Sequence, residues 1–178
     1  MTEPEVSLRL AIYYIQNGET SEDVAVSIDG AHIKTKDAVH FEIIGFLRKN
    51  GYVKRANTDK WQDEYKNEKY APCIIVSSKP GVGDVLIALN NGKTLYVESK
   101  KFKSGSGGEY SAMREAIGQL MTGCPDDKTP VVAVPFNGKS AFLAKQWSNN
   151  SRMNNAGICF ALVHNSGYVE FVGWENNG

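Results

Sequence analysis

The sequence has little of what marks secreted, membrane-bound or zinc-binding chains. Its 178 residues include only 3 cysteines, 3 histidines and 6 prolines. Cys73, Cys124 and Cys159 stand far apart and outside any CxxC or Cys/His cluster, so neither a disulfide framework nor a zinc site is expected, and they read as packing residues. No apolar run approaches the roughly 20 residues that a bilayer crossing needs. The start MTEPEVSLRL lacks a basic region followed by an unbroken apolar stretch. The expectation is a soluble, cytoplasmic protein with no membrane partner, in which the sequon Asn149-Asn150-Ser151 carries no weight. Charge of one sign is missing as well: 20 Lys+Arg balance 20 Asp+Glu, which argues against a chain that coats nucleic acid non-specifically. His32, His40 and His164 have no partner at metal-ligand spacing, and no Ser/His/Asp or Cys/His arrangement supports a covalent hydrolase.

What is present is the balance of one globular domain, 42% hydrophobic and 22% charged, with no repeat, low-complexity tract or linker. Val6 to Gln16 carries Leu8, Ile12 and Ile15 at helical spacing and stops at Asn17-Gly18. A polar stretch follows. Thr35 can cap a second helix with an apolar face of Val39, Ile43, Phe46 and Leu47, Glu42 at its margin, closed by Asn50-Gly51. Cys73 to Ser77, Gly83 to Leu89 and Thr94 to Lys101 read as three antiparallel strands, the last two joined at Asn90-Asn91-Gly92.

A third helix is expected over Glu109 to Met121, a buried parallel strand over Pro130 to Phe136, and a helix over Lys139 to Gln146. A terminal hairpin, Ile158 to His164 and Tyr168 to Trp174, completes an α/β sandwich with a mixed sheet. Tyr168, Phe171 and Trp174 read as core or interface residues rather than a base-stacking platform.

Metal-assisted phosphodiester hydrolysis needs carboxylates for a hard cation and a positive group beside the attacking water. Asp84 opens one strand of the hairpin, and Glu98 and Lys100, two apart on its partner, leave one face. A three-residue loop with Gly92 in the left-handed conformation pairs Leu89 with Lys93 and Asp84 with Glu98, bringing both acids to one metal. A two-residue loop would shift the register by one and part them. The bland alternatives are a turn acid at Asp84, a surface ion pair between Glu98 and Lys100, and a solvated helix residue at Gln119.

Gly83-Asp84 followed by Glu98-Ser99-Lys100 resembles the signature of the PD-(D/E)xK nuclease superfamily, with proline replaced by Gly83. The resemblance implies a restriction-endonuclease-like three-layer sandwich, a central mixed β-sheet flanked by helices, whose helix, three antiparallel strands, helix and strand fall at residues 35 to 136. It further implies Asp84 and Glu98 as ligands of Mg²⁺ or Mn²⁺, with Lys100 positioning water or stabilising the phosphate. Glu42 matches the acid that many members carry on the helix before the strands, completing the metal shell directly or through water. Gln119, in REAIGQLM, resembles the glutamine that RecB-like and archaeal Holliday-junction-resolvase-like nucleases carry on the helix after the ExK strand.

The glycine-rich KFKSGSGGEY has no nucleotide-cradle pattern and reads as a flexible connector, or as a loop that closes on DNA with Lys101 and Lys103 meeting phosphates. Lys79 can do likewise. The implied function is a DNA endonuclease of restriction, defence, recombination or repair. Cutting both strands would require a homodimer, for which the terminal hairpin or first helix offers a two-fold contact. The alternatives are a catalytically silent binding module on the same fold, or a nuclease acting on RNA.

Overall fold

The computed structural model describes residues 1–36, 38–102, 105 and 107–173. It opens with helix α1 (Glu3–Gln16), capped by Thr2, whose side chain accepts the Glu5 N–H, and carrying Pro4 in its first turn, where no N–H is missed. Val6, Leu8, Leu10, Ala11, Ile12, Tyr14 and Ile15 are all buried, so α1 is a central element.

The strands are β1 (Val24–Ser27), β2 (Lys34–Thr35), β3 (Ala38–Val39), β4 (Tyr52–Lys54), β5 (Asp63–Asn67) and β6 (Ile74–Ser77). They continue as β7 (Val85–Ala88), β8 (Thr94–Ser99), β9 (Thr129–Pro135), β10 (Cys159–Val163) and β11 (Val169–Val172). Nine of them form one mixed sheet in the order β11-β10-β9-β8-β7-β1-β6-β5-β4, while β2 and β3 pair apart. The other helices are α2 (Ile43–Lys49), α3 (Gly108–Gly123), α4 (Gly138–Ser148) and α5 (Ser151–Asn155).

Alternation along the strands builds a core on each face. Val131, Ala133, Val85 and Val97 pack with α1, and Val132, Val134 and Tyr96 pack with α3 and α4. β9 runs parallel to both β8 and β10, which explains its continuous apolar sequence. Among the described residues, no helix is long and apolar enough to cross a membrane. No disulfide joins the three cysteines, of which Cys73 and Cys159 are buried and Cys124 is half-buried.

Two expectations are corrected. β6 does not pair with β7: β1 lies between them, parallel to β6 and antiparallel to β7. The antiparallel meander that faces α1 is therefore β1-β7-β8, and residues 28–83 form a long excursion between its first two strands. β1 was hidden in the polar stretch because only Val24 and Val26 of its four residues point inward. Second, α2 begins at Ile43 rather than near Thr35, which lies in β2, and Val39 is exposed in β3. Trp174 and Lys103 lie outside the described residues.

Candidate functional site

The β7–β8 hairpin has the three-residue loop. The Leu89 N–H donates to the Lys93 carbonyl (2.8 Å) and the Gly92 N–H to the Leu89 carbonyl (3.0 Å). Gly92 takes φ +85°, the conformation that asks for glycine. The ladder then runs from Ala88↔Thr94 to Val85↔Val97, leaving Asp84 one step before and Glu98 one step after that last pair.

Asp84 is held on several sides. Its N–H donates to the Val97 carbonyl (2.8 Å), its carbonyl accepts from Ser27 (2.9 Å), and its Oδ2 accepts the Ser99 N–H (2.7 Å). Gly83 before it has φ +71°, and an added Cβ would sit 2.9 Å from the Tyr96 ring. Proline, fixed near −65°, cannot adopt that φ, so glycine at this point follows from the backbone.

Asp84, Glu98, Tyr96 and Gln119 line one cavity of about 500 Å³, with Lys79 and Ser27 at its walls. Burial pushes the Asp84 carboxyl up to about 7, and the Glu98 charge adds to it, against the opposing Ser99 N–H. Burial also raises Glu98, with Lys100 opposing. Two acids this close and this short of solvent repel one another, a situation that a bound cation relieves.

Lys100 is anchored by its N–H to the Ala133 carbonyl (2.9 Å). Its side chain is 10% exposed and its Nζ stands 3.9 Å from Glu115 of α3. It lowers the proton affinity of both Asp84 and Glu98. Lys79 and Gln119 are exposed at the cavity, and Lys101 is exposed just beyond β8 but does not line it.

Glu42 is not brought here. It sits at the N-cap of α2 and its charge is felt by Tyr65 of β5, which β6 and β1 separate from β7. The acid that does arrive is Glu3, in the first turn of α1. Its charge raises both Asp84 and Glu98, and it shares with Asp84 a small cavity of about 30 Å³. His32 Nδ1 stands 3.4 Å from it. Apolar spacing starts the helix at Val6 and gives Glu3 no role; the signal for Glu3 is the capping sequence Thr2-Glu3-Pro4-Glu5 ahead of the apolar helix.

No family model, no curated protein and no solved structure matches this chain.

Proposed function

We propose that this protein is a divalent-metal-dependent nuclease of the PD-(D/E)xK type that hydrolyses DNA phosphodiesters at the Asp84–Glu98 cavity. The observation that carries the reading is the pair of half-buried carboxylates from adjacent strands, one pushed up to about 7, with a buried lysine two residues beyond the second. The order α1, β1, β7, β8, α3, β9 supports it too, being a helix, an antiparallel meander, a helix and a parallel strand.

The residues fit a hard cation. Asp84 and Glu98 would hold Mg²⁺ or Mn²⁺ through carboxylate oxygens, with Glu3 adding negative charge from α1. Among the described residues no group of three or more His, Cys, Asp or Glu side chains is placed to hold a metal ion, so Asp84 and Glu98 would act as a pair. When bound, the ion supplies Lewis acidity at a phosphoryl oxygen and makes bound water more acidic.

The chain's own groups do the rest. The Ser99 N–H fixes one oxygen of Asp84 and so its orientation. Lys100, held by the sheet and poor in solvent, offers its ammonium to the phosphate, whose charge grows in the transition state. Gln119, Lys79 and Lys101 guide the strand at the rim. A silent binding module is the second reading, favoured by the lean of Lys100 toward Glu115.

The test is cleavage of plasmid, linear duplex and branched DNA, and of RNA, with Mg²⁺ or with EDTA, by the parent and Lys100→Ala. The expected outcome is metal-dependent cutting of DNA that falls by roughly 10²–10³-fold in the variant. Equal activity in the variant removes Lys100 from the site; cutting of RNA alone, or none, moves the function to the alternatives.

A further inference from the structure

The face of α3 next to the catalytic cavity carries an open groove of about 440 Å³, bounded by Tyr110, Arg114 and Gly118 of α3, Trp147 of α4, and Arg152 and Met153 of α5. We infer that this groove holds an unpaired base and its adjoining phosphate from a nucleic-acid strand whose scissile bond lies in the catalytic cavity. The inference rests on the nuclease reading and adds a substrate class to it: strands with a single-stranded end or flap.

Aromatic rings and arginines occur here together. Tyr110, 43% exposed, meets Trp147 edge to face at 5.4 Å, and Trp147 is backed by Phe160 at 6.4 Å, so the platform is rigid from behind and open in front. Every base presents a π-face to such rings, whatever its identity. The Arg114 guanidinium lies 5.2 Å from the Tyr110 ring centre. Arg114 and Arg152 are both exposed, and among the described residues neither pairs with a carboxylate, in contrast to Arg9 and Arg55. Among the described residues no acid lines the groove. On a chain of zero formal charge, a patch with two uncommitted guanidiniums and no acid is complementary to a phosphodiester rather than to a neutral or basic partner.

Helix geometry supplies the route. Gln119 lines the catalytic cavity and Glu115 meets Lys100, while Arg114 and Gly118, each one residue earlier, line the groove. These are neighbouring ridges of one helix. Gly118 is exposed, and a Cβ added to it would meet nothing within 4 Å, so the ridge dips where a strand would cross.

The experiment is fluorescence anisotropy of a short labelled oligonucleotide, as single strand and as blunt duplex, titrated in EDTA with the full chain. The parent, the double variant Arg114→Gln/Arg152→Gln and Trp147→Phe are compared, and duplex cleavage with Mg²⁺ is measured separately. The single strand binds the parent more tightly than the duplex, and the double variant loses that affinity by about tenfold. Its log–log salt slope becomes shallower by about 0.7, the value for one single-strand phosphate contact. Trp147→Phe, which keeps a stacking ring, binds like the parent. Single-strand binding that depends on the arginines supports the groove even if no DNA is cut, in which case the nuclease reading alone fails. Equal binding of single strand and duplex, or a double variant that binds like the parent, overturns the proposal while cleavage continues, and leaves the groove to a protein partner.

Discussion

The sheet carries two Asp/Glu pairs that behave in opposite ways. Asp63 and Glu64 on β5 are matched inside the chain. Asp63 accepts the N–H groups of Glu64 (2.8 Å) and Ala56 (3.0 Å), and Glu64 meets Arg55 at 2.7 Å and Lys66 at 3.2 Å. Both carboxyls are held below their ordinary values, Asp63 first by the Glu64 N–H and Glu64 first by the Arg55 guanidinium. Asp84 and Glu98 are pushed up, first by burial, with Lys100 only a partial counter-charge. An acid pair that the fold matches with N–H groups and cations is held ionised; one that the fold buries short of positive charge has its carboxyls raised.

The sharpest way to break the contrast is Asp84→Asn. The carboxyl ionises near 3.8 in the unfolded chain and near 7 in the fold, so the folded state loses stability as pH rises across that window and no further above it. Solvent at its partly open side screens some of the penalty, leaving on the order of 2–3 kcal/mol. Urea unfolding should show the variant more stable than the parent by that amount at pH 8 and equal to it at pH 4. A parent with no such slope would mean that the two acids are already neutralised.

Next in size is the exchange of roles between Glu3 and Glu42. Glu3→Gln should weaken Mn²⁺-dependent cleavage by roughly 10-fold, as loss of a group that supports a metal ligand does. Glu42→Gln should leave it unchanged. The same pair read by thermal shift with Mn²⁺ separates binding from turnover, and a larger loss at Glu42 would return that helix to the site.

Gly83→Ala forces a Cβ into the Tyr96 ring at a positive φ, and should destabilise by about 1–3 kcal/mol in chemical denaturation. Because Tyr96 lines the cavity, cleavage should fall alongside. The smallest effect belongs to Asp63→Asn. A carboxyl whose affinity for protons is lowered stabilises the fold above its unfolded value and loses that contribution as pH falls through its folded value. The variant should therefore be slightly less stable than the parent at neutral pH and indistinguishable from it in strong acid, with cleavage untouched.

The β7–β8 hairpin was more legible than the fold around it. The loop Asn90-Asn91-Gly92 and the alternation on either side determine the hairpin register by local chemistry alone, so Asp84, Glu98 and Lys100 could be placed from residue order. Helices α3 and α4 and strands β9 to β11 were likewise visible, since each carries an unbroken period or a turn signal at its end. β1 was not, because its inward-facing residues are too few to make a pattern, and without it β6 looked like the neighbour of β7. The helix nearest β6 in the chain carries Glu42, which the fold keeps apart from Asp84 and Glu98.

By itself, then, the sequence determined those features that depend on neighbours a few residues away: the loop, the faces of β7 and β8, and the helix periods. Only the tertiary structure decided that α1 rather than α2 faces the site, that Glu3 joins Asp84 and Glu98 across 81 to 95 positions of chain, and that their repulsion goes largely unrelieved. Burial and the approach of distant charges arise when the sheet closes, and no local pattern encodes them.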